Sequence, residues 1–65
     1  MHNPFSLYGK TILITGASSG IGRAIAIACS QMKANVIITA RNQQRLQETF
    51  ELLEGEGNIQ IIADL

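Results

Sequence analysis

Residues 15–22 read TGASSGIG, a glycine-rich segment between two apolar stretches of different periodicity. Before it, residues 12–14 read ILI, a short apolar run typical of a buried strand. After it, apolar residues recur at helical spacing. Glycine lets the backbone turn sharply between a strand and a helix and approach a ligand closely. Because the first turn of a helix presents unpaired N–H groups and a positive dipole end, the segment predicts a site for an anion such as a pyrophosphate.

Strands and helices are predicted to alternate along the whole chain. The predicted strands cover residues 10–15, 35–40 and 59–63, and the helices begin at Ile21 and just after Asn42, a favourable N-cap residue. Short connections in this order favour parallel pairing through right-handed crossovers, with strand order 3-2-1. We therefore predict an α/β fold that forms one half of a doubly wound parallel sheet.

Each predicted helix carries an apolar stripe that we expect to face the core. In the second helix the stripe consists of Leu46, Leu53 and either Thr49 or Phe50. In the first helix it is longer, and its members are Ile21, Ala24, Ile25, Ala28, Cys29 and Met32.

The first two predicted strands have apolar residues on both faces. Ile12 and Ile14 alternate with Leu13, and a similar run follows in residues 36–38. Two crossovers in the same direction place both helices on one face of the sheet and leave the other face bare. Strands that are apolar on both faces, however, are typical of a sheet covered on both faces. We therefore expect residues 1–65 to be the N-terminal part of one larger domain. The alternative is a small domain that covers its bare face by dimerising.

Composition excludes several classes of partner. The chain has five basic and five acidic residues and no net charge, which gives no reason to expect nucleic acid or a membrane surface as a partner. No apolar stretch approaches the ~20 residues of a membrane span, and the opening MHNP does not resemble a signal peptide. The single cysteine, Cys29, lacks the spacing of a metal site and is expected to behave as a small hydrophobe. We expect a cytoplasmic protein without a metal.

The spacing G-x-x-x-G-x-G differs from the G-x-G-x-x-G of the common dinucleotide fold. With the preceding threonine it resembles the T-G-x-x-x-G-x-G signature of the short-chain dehydrogenase/reductase family. Residues 5–11 (FSLYGKT), 39–42 (TARN) and 63–65 (ADL) also resemble that family. The resemblance implies a Rossmann-type βαβαβ unit, a dinucleotide-binding domain whose catalytic half is absent from these residues, a small-molecule substrate, and a homo-oligomer formed through parts not present here.

The resemblance also implies where the cofactor binds. The implied cofactor-binding residues are Gly16, Ser18, Ser19, Gly20, Ile21, Gly22, Arg41, Asn42, Asp64 and Leu65. Gly16 is expected to make the tight turn, Gly20 to let the backbone approach the pyrophosphate, and Gly22 to let the helix pack closely on the strand. Asp64 resembles the residue that hydrogen-bonds the adenine amino group, and its alternative role is a helix cap.

The prediction of NADP(H) instead of NAD(H) rests on Arg41 and the residue before it. Folds that prefer NAD place an acidic residue near the end of the second strand, where it accepts a hydrogen bond from the ribose 2′-hydroxyl. Here Ala40 occupies that place, and Arg41 can pair with a 2′-phosphate. Ser19 stands where some NADP-using members of the family carry a basic residue. NADP(H) is nevertheless favoured, and the alternative is a surface arginine that pairs with the acidic second helix.

The residues that catalyse in this family are missing from the chain. Catalytic members use a Tyr-x-x-x-Lys pair in which the tyrosine acts as general acid or base. The only tyrosine is Tyr8, and Ile12 stands four residues after it. The resemblance implies that the whole protein is an NADP-dependent oxidoreductase that transfers hydride between nicotinamide and a carbonyl or alcohol carbon. The alternative is a nucleotide-sensing protein that keeps the fold and lacks the catalytic pair.

Overall fold

The computed structural model describes residues 7–63, which form three strands and two helices in alternation. The elements are β1 (Thr11–Thr15), α1 (Gly20–Gln31), β2 (Asn35–Ala40), α2 (Gln43–Leu52) and β3 (Ile59–Ile62). The predicted elements are all present. The only differences are at the ends: β1 begins one residue later, α1 one residue earlier, and β3 ends one residue earlier than the sequence indicates.

The three strands form one parallel sheet with β2 in the centre. Read from the other edge, this is the predicted order 3-2-1, which is therefore confirmed. In the register of the sheet, Leu13 lies beside Ile37 and Ile37 beside Ile59, so these three side chains share one face. Ile14 and Ile38 share the opposite face.

The core lies between the sheet and the two helices, which pack on the same face and contact each other. Val36 and Ile38 of β2 and Leu46 of α2 are fully buried there. On the other face Leu13 is 60% exposed and Ile59 is 50% exposed. Both faces of the sheet are apolar, as expected from the strand pattern. Among the described residues, the two helices cover only one of these faces.

The side of α1 that faces the core differs from the predicted stripe. The helix buries Ala26 and Ser30, whereas Ile21 is 80% exposed and Ile25 is 47% exposed. The prediction was wrong for Ile21, Ala24 and Ile25, which are exposed, and correct for Cys29, which packs against the core. Because α1 is apolar on nearly every side, the spacing of apolar residues could not select one side. Small side chains face the core because they let the helix approach the sheet. Cys29, a free thiol, is half-buried against the core, as expected.

The buried side of α2 agrees with its predicted stripe. Leu46 and Thr49 are fully buried, and Phe50 and Leu53 pack against the core as partly buried residues. Asn42 is the N-cap, and its Oδ1 accepts a hydrogen bond of 3.0 Å from the Arg45 N–H. Within residues 7–63, neither helix has the length and apolar character needed to cross a membrane.

Candidate functional site

The loops that follow β1 and β2 meet at one edge of the sheet. Because the strands are parallel, their carboxyl ends share that edge. The N–H of Ala17, in the loop after β1, donates to the Thr39 carbonyl of β2 at 3.1 Å. The N–H of Ala63, just after β3, donates to the Ala40 carbonyl at 3.0 Å. The glycine-rich segment and residues 41–42 therefore lie at the same edge, as the sequence predicts.

Two glycines of the segment adopt backbone conformations that other residues avoid. Gly16 has a φ of 65° and Gly20 a φ of 60°, both in the left-handed region. A Cβ atom at either position would meet no atom within 4 Å. The need for glycine at these two positions thus comes from the turn itself, and the open space leaves room for a ligand beside Gly20.

Gly22 is required for a different reason, which is close packing. A Cβ atom there would overlap the Gly16 carbonyl oxygen, and it would lie 3.0 Å from the Gly16 carbonyl carbon and 3.2 Å from the Ala17 Cα. The family resemblance implied close packing of helix on strand at Gly22, and the structure places the contact at the turn that leaves β1.

The N-terminus of α1 has no side-chain cap. Its N-cap residue, Ser19, is extended, with φ −163° and ψ 171°, and its side chain makes no capping hydrogen bond. Within the helix, the N–H groups of Gly20, Ile21 and Gly22 have no carbonyl four residues before them to bond. The first turn also contains no acidic side chain, and α2, by contrast, is capped by its own asparagine. These amides can therefore serve as donors to a bound anion.

The loop between β2 and α2 carries the residues predicted to recognise the ribose. Ala40 is buried at the end of β2, and Arg41 beyond it is exposed. Asn42 uses its Oδ1 to cap α2, so its Nδ2 is the end that can donate to a ligand. Asp64 and Leu65, the two remaining predicted site residues, lie outside the described residues, and their roles stay predictions.

Arg23 and Thr49 contribute to this region although sequence reasoning did not select them. The Arg23 Nε donates to the Thr49 Oγ1 at 2.7 Å, and its Nη2 donates to the carbonyls of Ser18 at 2.8 Å and Arg45 at 3.2 Å. The same Nη2 lies 3.6 Å from a carboxylate oxygen of Glu48. One feature of the sequence could have indicated the role of Arg23: it is the single charged residue in residues 21–29, IGRAIAIAC, which are otherwise apolar.

Comparison with known proteins gives consistent matches. The family model described as short chain dehydrogenase matches residues 10–64. The chain is 43% identical over 53 residues to 3-ketodihydrosphingosine reductase ksrA of Aspergillus fumigatus, covering 82% of this chain and 14% of that protein. It is 46% identical over 59 residues to 2-dehydro-3-deoxy-D-gluconate 5-dehydrogenase of Bacillus subtilis, covering 91% of this chain and 23% of the relative.

A solved structure similar to this one contains a cofactor. The RhlG/NADP active-site complex of Pseudomonas aeruginosa superposes with a TM-score of 0.83 at 40% identity, covering 98% of this chain and 26% of that chain. The chain therefore spans between 14% and 26% of the length of these three proteins.

Proposed function

Because the chain belongs to the short-chain dehydrogenase family, we propose that it binds the adenosine and diphosphate part of NADP(H) for an oxidoreductase. The whole protein would transfer hydride between nicotinamide and a carbonyl or alcohol carbon of a small-molecule substrate. The cofactor supplies the hydride chemistry when bound, and the residues of this chain supply binding and orientation. Homo-oligomerisation and a cytoplasmic location belong to the same proposal.

The observation that carries the proposal is the uncapped N-terminus of α1 at the carboxyl edge of the sheet. A diphosphate there would accept hydrogen bonds from the N–H groups of residues 20–22, and the helix dipole would favour its negative charge. Gly16 and Gly20 support this arrangement, since their left-handed conformations bring the chain from β1 into α1 and neither residue adds a side chain there.

The preference for NADP(H) over NAD(H) is proposed from the end of β2. Ala40 is buried and carries no charge, so nothing at that position repels a 2′-phosphate or accepts a bond from a 2′-hydroxyl. Arg41 follows it in an exposed position, from which a guanidinium can make short, charge-assisted bonds to phosphate.

We also propose that residues 1–65 are the N-terminal part of one dinucleotide-binding domain. Three observations support this proposal: the outer face of the sheet exposes Leu13 and Ile59, α1 exposes Ile21 and Ile25 on the side away from the core, and the relatives are several times longer. Parallel sheets are almost always covered on both faces. The catalytic residues would then belong to the part of the domain that covers these surfaces.

The test of the cofactor is the substitution Arg41→Asp in the full-length protein. Dissociation constants for NADPH and NADH are measured by calorimetry for the wild-type and the Arg41→Asp protein. NADPH binding should weaken at least about tenfold, because hydrogen bonds between charged groups contribute about 1.5–3 kcal/mol. NADH binding should change much less, since NADH has no 2′-phosphate.

Lys10→Asp is the matched control. It makes the same change of charge at an exposed residue just before β1, at the opposite edge of the sheet, so neither affinity should change. If Arg41→Asp weakens both nucleotides equally, or neither, the assignment of NADP(H) fails. If the wild-type protein binds nucleotide but oxidises no NADPH with a panel of aldehydes and ketones, the nucleotide-sensing alternative replaces the oxidoreductase.

A further inference from the structure

We propose that Arg23 is a positioning residue for nucleotide binding, which rests on the proposed function above. Its guanidinium would hold the loop after β1 against α2. It would thereby fix the direction of the amides that receive the diphosphate and their distance from Arg41. The residue itself is not expected to touch the nucleotide.

The contacts of Arg23 join three parts of the chain. The side chain starts in the first turn of α1, and its Nη2 donates to the Ser18 carbonyl of the loop. Its Nε donates to Thr49 Oγ1, in the middle of α2, where that side chain is fully buried. Nε and Nη2 are neighbouring donors on one rigid plane, so the loop carbonyl and α2 cannot move independently while both bonds are made.

The bond to Ser18 sets the orientation of one peptide group of the loop. In a trans peptide the C=O and the following N–H point in opposite directions. The structure contains no cis peptide bond among its described residues. Since the Ser18 carbonyl points at Arg23 and α2, the Ser19 N–H is directed the other way. It is thus available on the side of the loop away from α2, next to the amides of residues 20–22.

The bonds to α2 extend this control to the ribose end of the proposed site. Thr49 Oγ1 also bonds the Arg45 carbonyl at 3.3 Å, and the Arg23 Nη2 reaches the same carbonyl at 3.2 Å. Arg45 is in turn tied to Asn42 through the N-cap bond of 3.0 Å. Arg41 immediately precedes that cap. A continuous set of hydrogen bonds therefore runs from Ser18 through Arg23 to the loop that carries Arg41.

The test compares Arg23→Met with the wild-type full-length protein, with NADPH and NADH as probes. Methionine keeps most of the apolar length of the side chain and removes every donor. We expect the NADH dissociation constant to rise about tenfold, the loss expected when one charge-assisted hydrogen bond to a ligand is misaligned, and the NADPH constant to rise further. The ratio of the NADPH constant to the NADH constant should also rise, because Arg41 loses its fixed distance from the diphosphate.

Two further variants separate positioning from stability. The single amine of Arg23→Lys can reach the Ser18 carbonyl but cannot bond Thr49 Oγ1 at the same time. Its affinities for the two nucleotides should therefore lie between those of wild type and Arg23→Met. Ile38→Val, in the buried centre of β2, removes a core methyl group and leaves all the Arg23 bonds in place. At a temperature where the Ile38→Val protein is folded, its affinities for NADPH and NADH should stay within about twofold of wild type. The substitution lowers the free energy of unfolding and does not alter the site.

The outcomes distinguish this inference from the function on which it rests. A wild-type protein that binds neither nucleotide refutes the proposed function and this inference with it. Nucleotide binding by wild type and equal binding by Arg23→Met refutes the inference alone. The inference also fails if Ile38→Val loses as much affinity as Arg23→Met. Should Arg23→Met fail to fold, Thr49→Val carries the test. It removes the Nε partner and the Thr49 bond to the Arg45 carbonyl, leaves both Nη2 bonds in place, and should still weaken the binding of both nucleotides.

Discussion

Replacing Gly22 by alanine should destabilise the protein, although alanine is the better helix former. Gly22 is the third residue of α1. On intrinsic propensity alone, the substitution would stabilise a helix by about 1 kcal/mol. The new methyl group would, however, overlap the Gly16 carbonyl oxygen and crowd the Ala17 Cα at 3.2 Å. The two effects have opposite signs, so their magnitudes decide the result.

The steric cost should be the larger effect. Inserting a methyl group into a well-packed region costs about 1–3 kcal/mol when neighbours can adjust. Here the obstacle is backbone, and Gly16 has a φ of 65° in a turn that the Ala17–Thr39 hydrogen bond of 3.1 Å ties to β2. We therefore take the upper end of that range, about 3 kcal/mol, and expect a net destabilisation of about 2 kcal/mol.

Urea unfolding of the full-length protein measures this difference, and nucleotide binding gives a second readout. Ala24→Gly is the matched control, since it makes the reverse change two residues later, at an exposed position of the same helix. It should cost about 1 kcal/mol through propensity alone and leave nucleotide affinity unchanged. Gly22→Ala should weaken nucleotide binding as well, because the amides of residues 20–22 would shift. A Gly22→Ala protein as stable as wild type would refute the steric reasoning.

Two other substitutions test the second helix. Asn42→Ala should cost about 1 kcal/mol in urea unfolding because the Arg45 N–H loses its cap, while Asn42→Asp should retain most of that stability; equal losses for both would contradict the capping role. Leu46→Ala should cost about 2–5 kcal/mol because the side chain is fully buried, whereas Leu52→Ala, at a residue 53% exposed, should cost much less. Similar losses at the two leucines would contradict the assigned orientation of α2.

The buried side of the second helix was predictable, although the sequence left the choice between Thr49 and Phe50 open. Polar residues occupy most of its positions, so Leu46 and the stripe that runs from it to Leu53 indicate which side is buried. Asn42 marks its start for a local reason, the preference of asparagine for the N-cap, and the structure shows the expected bond. Such short-range determinants are readable without knowledge of the fold.

For the candidate site, the sequence predicted the course of the backbone but not the side-chain contacts that hold it. The glycine spacing places the turn, and Gly16 and Gly20 adopt the left-handed conformations that glycine permits. The reason for Gly22 was only partly predictable, since overlap with the Gly16 carbonyl depends on how the turn folds back on α1. The contacts of Arg23 with α2 were not predictable, because Arg23 and Thr49 are separated by 26 residues of sequence.

The departure of α1 from a simple amphipathic pattern follows from what each of its turns contacts. In its middle and last turns the helix packs small residues, Ala26 and Ser30, towards the core. In its first turn the corresponding position holds Arg23, whose side chain is only 29% exposed. Placing a guanidinium there costs solvation, which its bonds to Ser18, Thr49 and the Arg45 carbonyl offset. An apolar residue could fill this space but could not orient the Ser18 carbonyl. The one charged residue of α1 thus lies in the turn that adjoins the proposed diphosphate site, where local sequence rules are expected to give way to function.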